Sequence, residues 1–183
     1  MKQVLFLLLT TAVIISCNDT ANVAATNDDQ KMGDNRNHEN MQQVYRAMET
    51  GDVSKLDSII ADDVVDHNAN PDGSDLKGHD SVKKMLGTIH TYFEDGLKVD
   101  LLSDATSPDG DYHFSWIRMK GKAKANPWGM PVGEEVDDTN VDVVKLKNGK
   151  ATDHWGFMSM EDMNEMMKKM QGSMPPAKNP NKK

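Results

Sequence analysis

Residues 140–157, NVDVVKLKNGKATDHWGF, constrain the fold more than any other stretch of this chain. Two runs alternate apolar with polar residues, as half-buried strands do, and Asn148-Gly149 between them signals a hairpin because glycine takes a positive φ at no steric cost. Loop length then decides which side chains meet. A two-residue loop sets Asp142 opposite Trp155, whereas a three-residue loop, Lys147-Asn148-Gly149, sets Asp142 opposite His154. The three-residue loop is the expectation. It keeps Val141 and Val143 on one face with Trp155 and Phe157, and it gathers Asn140, Asp142, Thr152, His154 and Gly156 on the other. That second face is polar, with an Asp–His pair at its centre.

The remaining segments supply helices first and strands afterwards. Met41, Val44, Tyr45 and Met48 fall at helical spacing in a segment that starts at His38 and is closed by Gly51. Asp52 can cap a short second helix carrying Leu56, Ile59 and Ile60, and residues 62–68 read as a strand or strand-like edge before a loop over 69–78. Val82, Met85, Leu86, Ile89 and Phe93 predict a further helix stopped at Gly96. Strands follow over 97–102 and 112–120, the second with Tyr112, Phe114 and Trp116 on one face and His113, Ser115, Ile117 and Met119 on the other. A break at 126–131 precedes a strand over 134–146, and Ser159-x-x-Asp162 opens a last helix. Helices before strands imply an α+β domain: helices packed on one face of a curved, mainly antiparallel sheet, with an extra helix at the C-terminal end. The cone so enclosed is a natural small-molecule pocket.

Several of these segments carry a family resemblance. Val141-Asp142, Asn148-Gly149-Lys150 and Asp153-His154-Trp155 resemble the late hairpin of SnoaL-like proteins, in the nuclear transport factor 2-like superfamily. Residues 62–68, DDVVDHN, resemble that family's first strand and its histidine; Gly78-His79-Asp80-Ser81-Val82 resembles the start of its third helix. Gly121, Gly129, Pro131 and Gly133 resemble its glycine-punctuated central strands, so the likeness spans roughly residues 38–172. The resemblance implies the cone fold, a small-molecule ligand and a homodimer formed sheet to sheet. Two positions depart from it. In the cyclases that name the family an Asp follows the His-Trp pair, and here Gly156 stands there; a central-strand histidine is replaced by Ala123.

His154 and Asp142 form the leading catalytic pair, since a carboxylate beside an imidazole fixes its tautomer and raises its basicity. His67 is the second candidate, expected at the mouth or wall of the cone, while His113 and His79 are accounted for by a strand edge and a helix start. Tyr45, Asn68, Trp116, Asn140 and Trp155 are the ligand-binding candidates. An enzyme built on these groups would move a proton beside a carbonyl, with His154 or His67 as base and Asp142 orienting it. A carrier without catalysis is the alternative. No cofactor or metal is expected, because the chain has no nucleotide loop, nucleophile elbow or zinc-binding spacing. The methionines at 158, 160, 163, 166, 167 and 170 could bind cuprous ion through thioethers, but their helical spacing fits an adaptable apolar stripe over the cone better.

The first residues address the chain rather than fold it. Lys2 and an apolar run over 4–15, too short to span a bilayer, lead to Ser16-Cys17. The ending Ile14-Ile15-Ser16-Cys17 resembles the lipobox of bacterial lipoproteins, which implies a signal peptide over 1–16, lipidation of Cys17 and a place in the cell envelope on a membrane anchor. Residues 17–37 then read as lipidated cysteine and flexible tether, 38–172 as the domain and 173–183 as a flexible tail. The formal charge of −8 argues against a nucleic-acid partner.

Overall fold

Side-chain alternation drives the strands of this chain into one sheet, and the computed structural model describes it over residues 19–70, 72–125 and 131–173. The elements are α1 (Asp19–Thr50), α2 (Leu56–Ile59), β1 (Ile60–Asp66), β2 (Leu76–Lys77), α3 (His79–Thr88), a 3-10 turn (Ile89–Tyr92), β3 (Phe93–Thr106), β4 (Tyr112–Ala123), β5 (Glu135–Lys147), β6 (Lys150–Met158) and α4 (Met160–Ser173). The six strands lie in the order β2-β1-β6-β5-β4-β3. Among the described residues only the β1–β6 pairing is parallel. This is the expected α+β fold, a curved open sheet with its helices on one face.

Alternation along β4 settles which face is covered. His113, Ser115 and Ile117 are buried, whereas Phe114 and Trp116 between them are exposed. Of the buried set, Ile117 joins Met41, Tyr45 and Ala47 of α1 and Val82 and Leu86 of α3 in one apolar core, while His113 and Ser115 are buried polar groups on the same face. Curvature comes from register shifts within β3–β4 and within β5–β6, because an extra residue on one strand bends it and adds twist.

Four local readings are corrected. The hairpin loop has two residues, Asn148 at φ 54° and Gly149 at φ 75°, with Lys147 facing Lys150. A bulge at Thr152 then inserts one residue, so Asp142 faces Gly156 and His154 faces Val144. The predicted helix over 82–96 ends early: α3 stops at Thr88 and Phe93 already belongs to β3. Asp95 (φ 51°) and Gly96 (φ 94°) sit where the β3–β4 register shifts, so the glycine that reads as a helix stop belongs to a strand irregularity. The loop over 69–78 contains β2, which pairs with β1 through Val65–Lys77 and Asp66–Leu76. Finally, α1 begins at Asp19, inside the stretch expected to be an irregular tether. Once the packed half of a helix is nucleated, each further residue adds a hydrogen bond at little cost, and no proline interrupts this segment.

The signal segment, Cys17, Gly129 and residues 174–183 lie outside the described residues. Among the described residues no helix is long and apolar enough to cross a membrane.

Candidate functional site

Between the concave face and the helices lies a cavity of about 610 Å³. Most of its wall is aliphatic or thioether, with Met48, Met85, Leu86, Ile117, Val136 and Val144 among the lining residues. Polar groups are concentrated where β1, β6 and β5 run side by side. Asp66 is the direct register partner of His154 across the parallel pair, and His154 Nδ1 donates to Asp66 Oδ1 at 2.8 Å. The Thr152 bulge puts Asp142 diagonally across from His154, with 3.6 Å between Nε2 and Asp142 Oδ1. Above the strands the Tyr45 hydroxyl, on the buried face of α1, donates to Asp142 Oδ2 at 3.0 Å. The result is one charged row, Asp66–His154–Asp142, capped by a phenol and set in an apolar chamber.

Its electrostatics follow from that arrangement. Burial alone would lower the His154 pKa, but the hydrogen bonds and negative charges of Asp142 and Asp66 outweigh it and push the ring up to about 10. At neutral pH His154 is therefore an imidazolium, able to donate a proton or hydrogen bond and unable to accept one. Burial first, and then the Asp142 charge, push the Tyr45 phenol upward, so it stays a hydroxyl. The side chains of Asp66 and Asp142 are only 8% and 12% exposed, against 31% for His154, so the imidazolium is the group that meets the chamber most openly.

The structure separates the other sequence candidates. Tyr45, Asn140 and Asn68 line the cavity. His67 touches its rim, but the ring bonds Asp75 at 3.3 Å and Asp153 at 3.1 Å and stacks on Trp155 with centroids 4.6 Å apart. Burial acts to raise the Asp153 carboxyl, yet hydrogen bonds from His67 and Thr152 hold it below its ordinary range. Trp155 thus packs beside His67 and is not among the lining residues. Trp116 is half exposed on the outer face, away from the cavity, because its neighbours Ser115 and Ile117 take the inward positions. Thr152, expected on the polar face, is the bulge residue, and its hydroxyl donates to Asp153 or to the Lys145 carbonyl. His113, expected at a strand edge, is buried at 1% exposure on the concave side. His79 does sit at the start of α3, near Asp57 and Asp80.

Asp66 is the residue that reading the sequence misses. Its signal is the alternation Val64-x-Asp66, which turns the carboxylate inward on the same side as Val64. Among the described residues no three His, Cys, Asp or Glu side chains are arranged to hold a metal ion. From the C-terminal methionines, Met158, Met163 and Met166 line the chamber, and Met163 is also exposed, as are Met160 and Met167.

The model of the SnoaL-like domain family matches residues 41–154. Comparison with curated proteins gives no match. Among solved structures, a protein of the SnoaL-like polyketide cyclase kind from Jannaschia sp. CCS1 superposes with a TM-score of 0.60 at 16% identity, covering 78% of this chain and 95% of that one. A nuclear transport factor 2-like protein from Anabaena variabilis gives 0.56 at 11% identity, covering 68% and 87%. An epoxide hydrolase of the LEH-like kind from M. tuberculosis gives 0.55 at 14%, covering 76% and 95%. At these identities the likeness is one of fold.

Proposed function

The chain belongs to the SnoaL-like family, and from that premise we propose that it is an envelope-anchored domain that binds a small, largely apolar molecule and moves a proton beside a carbonyl of it. The observation that carries this reading is the Asp66–His154–Asp142 row, capped by Tyr45, in an otherwise apolar chamber. Its roles are the reverse of those read from the sequence. An imidazolium cannot be the base, so His154 Nε2–H, only loosely engaged by Asp142 at 3.6 Å, is the donor to the ligand's carbonyl oxygen. Asp142 Oδ1 is then the base: it takes a proton from the carbon beside the carbonyl, and the electron pair left behind becomes an enolate held by the imidazolium. Asp66 keeps the imidazole ring oriented and charged. Tyr45 occupies Asp142 Oδ2 and so presents Oδ1 to the substrate.

The test is exchange of α-protons. 2-Undecanone in deuterated buffer, followed by proton NMR, should lose its α-proton signals faster with the full-length protein than without it. His154→Gln and Asp142→Asn should each slow that exchange about 100-fold or more. A ketone that binds yet exchanges at the buffer rate refutes the catalytic reading. A carrier is then the function, and one observation already favours that second reading: Gly156 puts no side chain beside Asp142, where the cyclases resembled carry an Asp.

The proposed anchor rests on the signal-like start and on Ser16-Cys17. Labelling of expressing cells with an alkynyl palmitate should mark the protein, and Cys17→Ala should abolish the mark and release the chain from membranes.

A further inference from the structure

A second polar pole faces the same cavity, at the N-terminal end of the packed part of α1. Asn37, on α1, lines the cavity and is 95% buried, its exposure being 5%. Its Nδ2 donates to Thr106 Oγ1 on β3 at 3.3 Å. Its Oδ1 is buried and has no hydrogen-bond partner among the described residues. A buried amide oxygen left unpaired is costly, so such an atom calls for a partner that the protein itself does not supply.

The hydrogen bond to Thr106 decides which end of the amide is left over. With its NH₂ turned to Thr106 Oγ1, Asn37 keeps its oxygen as the end without a partner among the described residues. Asn37 lines the cavity, and what it has left to offer a molecule at this pole is an acceptor.

We propose that Asn37 is a specificity-determining residue and that the ligand is bifunctional: a carbonyl-type acceptor at His154, an apolar body, and a hydroxyl or amide N–H read by Asn37 Oδ1. This rests on the cavity reading above and names its ligand class. Tyr45 and Asn37 are eight residues apart on one helix, which separates the two poles by about 12 Å along its axis. A straight chain with oxygens at positions 2 and 11 spans such a gap.

Three probes test it against the full-length protein: 2-undecanone, 11-hydroxy-2-undecanone and 11-methoxy-2-undecanone, with affinity measured by calorimetry. The hydroxy ketone should bind about three- to ten-fold more tightly than the methoxy ketone, which keeps the oxygen but lacks the proton. Asn37→Leu should erase that preference, and Asn37→Asp, which keeps an acceptor at the same place, should retain it. Equal binding of hydroxy and methoxy probes by the native protein overturns the second pole and leaves the cavity reading standing. The same conclusion follows if the preference survives in Asn37→Leu or vanishes in Asn37→Asp. If none of the three binds, the cavity reading itself fails and the second pole falls with it.

Discussion

The charge on His154 is the residue-scale feature with the widest consequences. Its folded-state pKa, about 10, stands above the ordinary 6.5 of a histidine in an unfolded chain. Folding therefore strengthens proton binding, and the resulting stabilisation is fully present below about pH 6.5 and is lost as pH rises through about 10. Because 31% of the side chain is exposed, the contribution is discounted to about 2–3 kcal/mol. The melting temperature should fall between pH 7 and pH 10 by more in the native protein than in His154→Gln, and the His154 Hε1 resonance should titrate well above neutrality. A ring titrating near 6.5 would remove both the stabilisation and the assignment of His154 as the acid. The partner that makes this residue unusual, Asp66, is legible in principle from Val64-x-Asp66. What is not legible is that β1 lies beside β6, because a parallel pairing between strands 88 residues apart leaves no local mark.

Elements divide the same way into what a pattern determines and what a contact determines. The two faces of the β5–β6 hairpin can be read directly: Val141, Val143, Trp155 and Phe157 do share one side, because side-chain direction alternates strictly along a strand. Register cannot be read so, since threonine is an ordinary strand residue and nothing marks Thr152 as a bulge. The face assignment survives because the loop is one residue shorter and the bulge one residue longer than an unbulged three-residue-loop hairpin would require. Two strand glycines separate close approach from open space. A Cβ on Gly121 of β4 would meet Phe93 Cδ1 at 2.6 Å and the Gly96 carbonyl oxygen at 3.2 Å. Gly121→Ala should cost about 1–3 kcal/mol in denaturant unfolding, since neither the buried ring nor the backbone can withdraw freely. A Cβ on Gly156 of β6 finds only Asp142 Oδ1 at 3.8 Å and His154 Cε1 at 4.0 Å. Gly156→Ala should therefore change stability by no more than about 0.5 kcal/mol, or raise it, as the backbone entropy of a strand glycine is lost. Matching losses at both positions would show that the two strands do not pack as described.

For the whole molecule, the sheet's outer face is the surface left to explain. Trp116, Val141 and Phe157 stand in one row across β4, β5 and β6, with Phe114, Val143 and Trp155 in the next. Trp116 is 50% exposed and Phe157 56%. Soluble monomers seldom leave adjoining apolar side chains open to water, and this patch offers no charged group in its two rows to select a different kind of partner. We propose that a second copy of the chain covers it, sheet to sheet, which would give Trp116 a role that its distance from the cavity denies it as a ligand contact. Each copy carries a formal charge of −8, so such a pair would form against its own electrostatic repulsion. Salt screens that repulsion without weakening apolar contact, so the dimer should tighten as ionic strength rises from 0.02 to about 0.2 M, the reverse of an interface held by ion pairs. Sedimentation velocity over that range measures it. Trp116→Glu with Phe157→Glu should leave a monomer at every salt concentration, with the 2-undecanone affinity of the cavity on the opposite face unchanged. A native chain that sediments as a monomer throughout, or a dimer that loosens with salt, excludes this face as the contact.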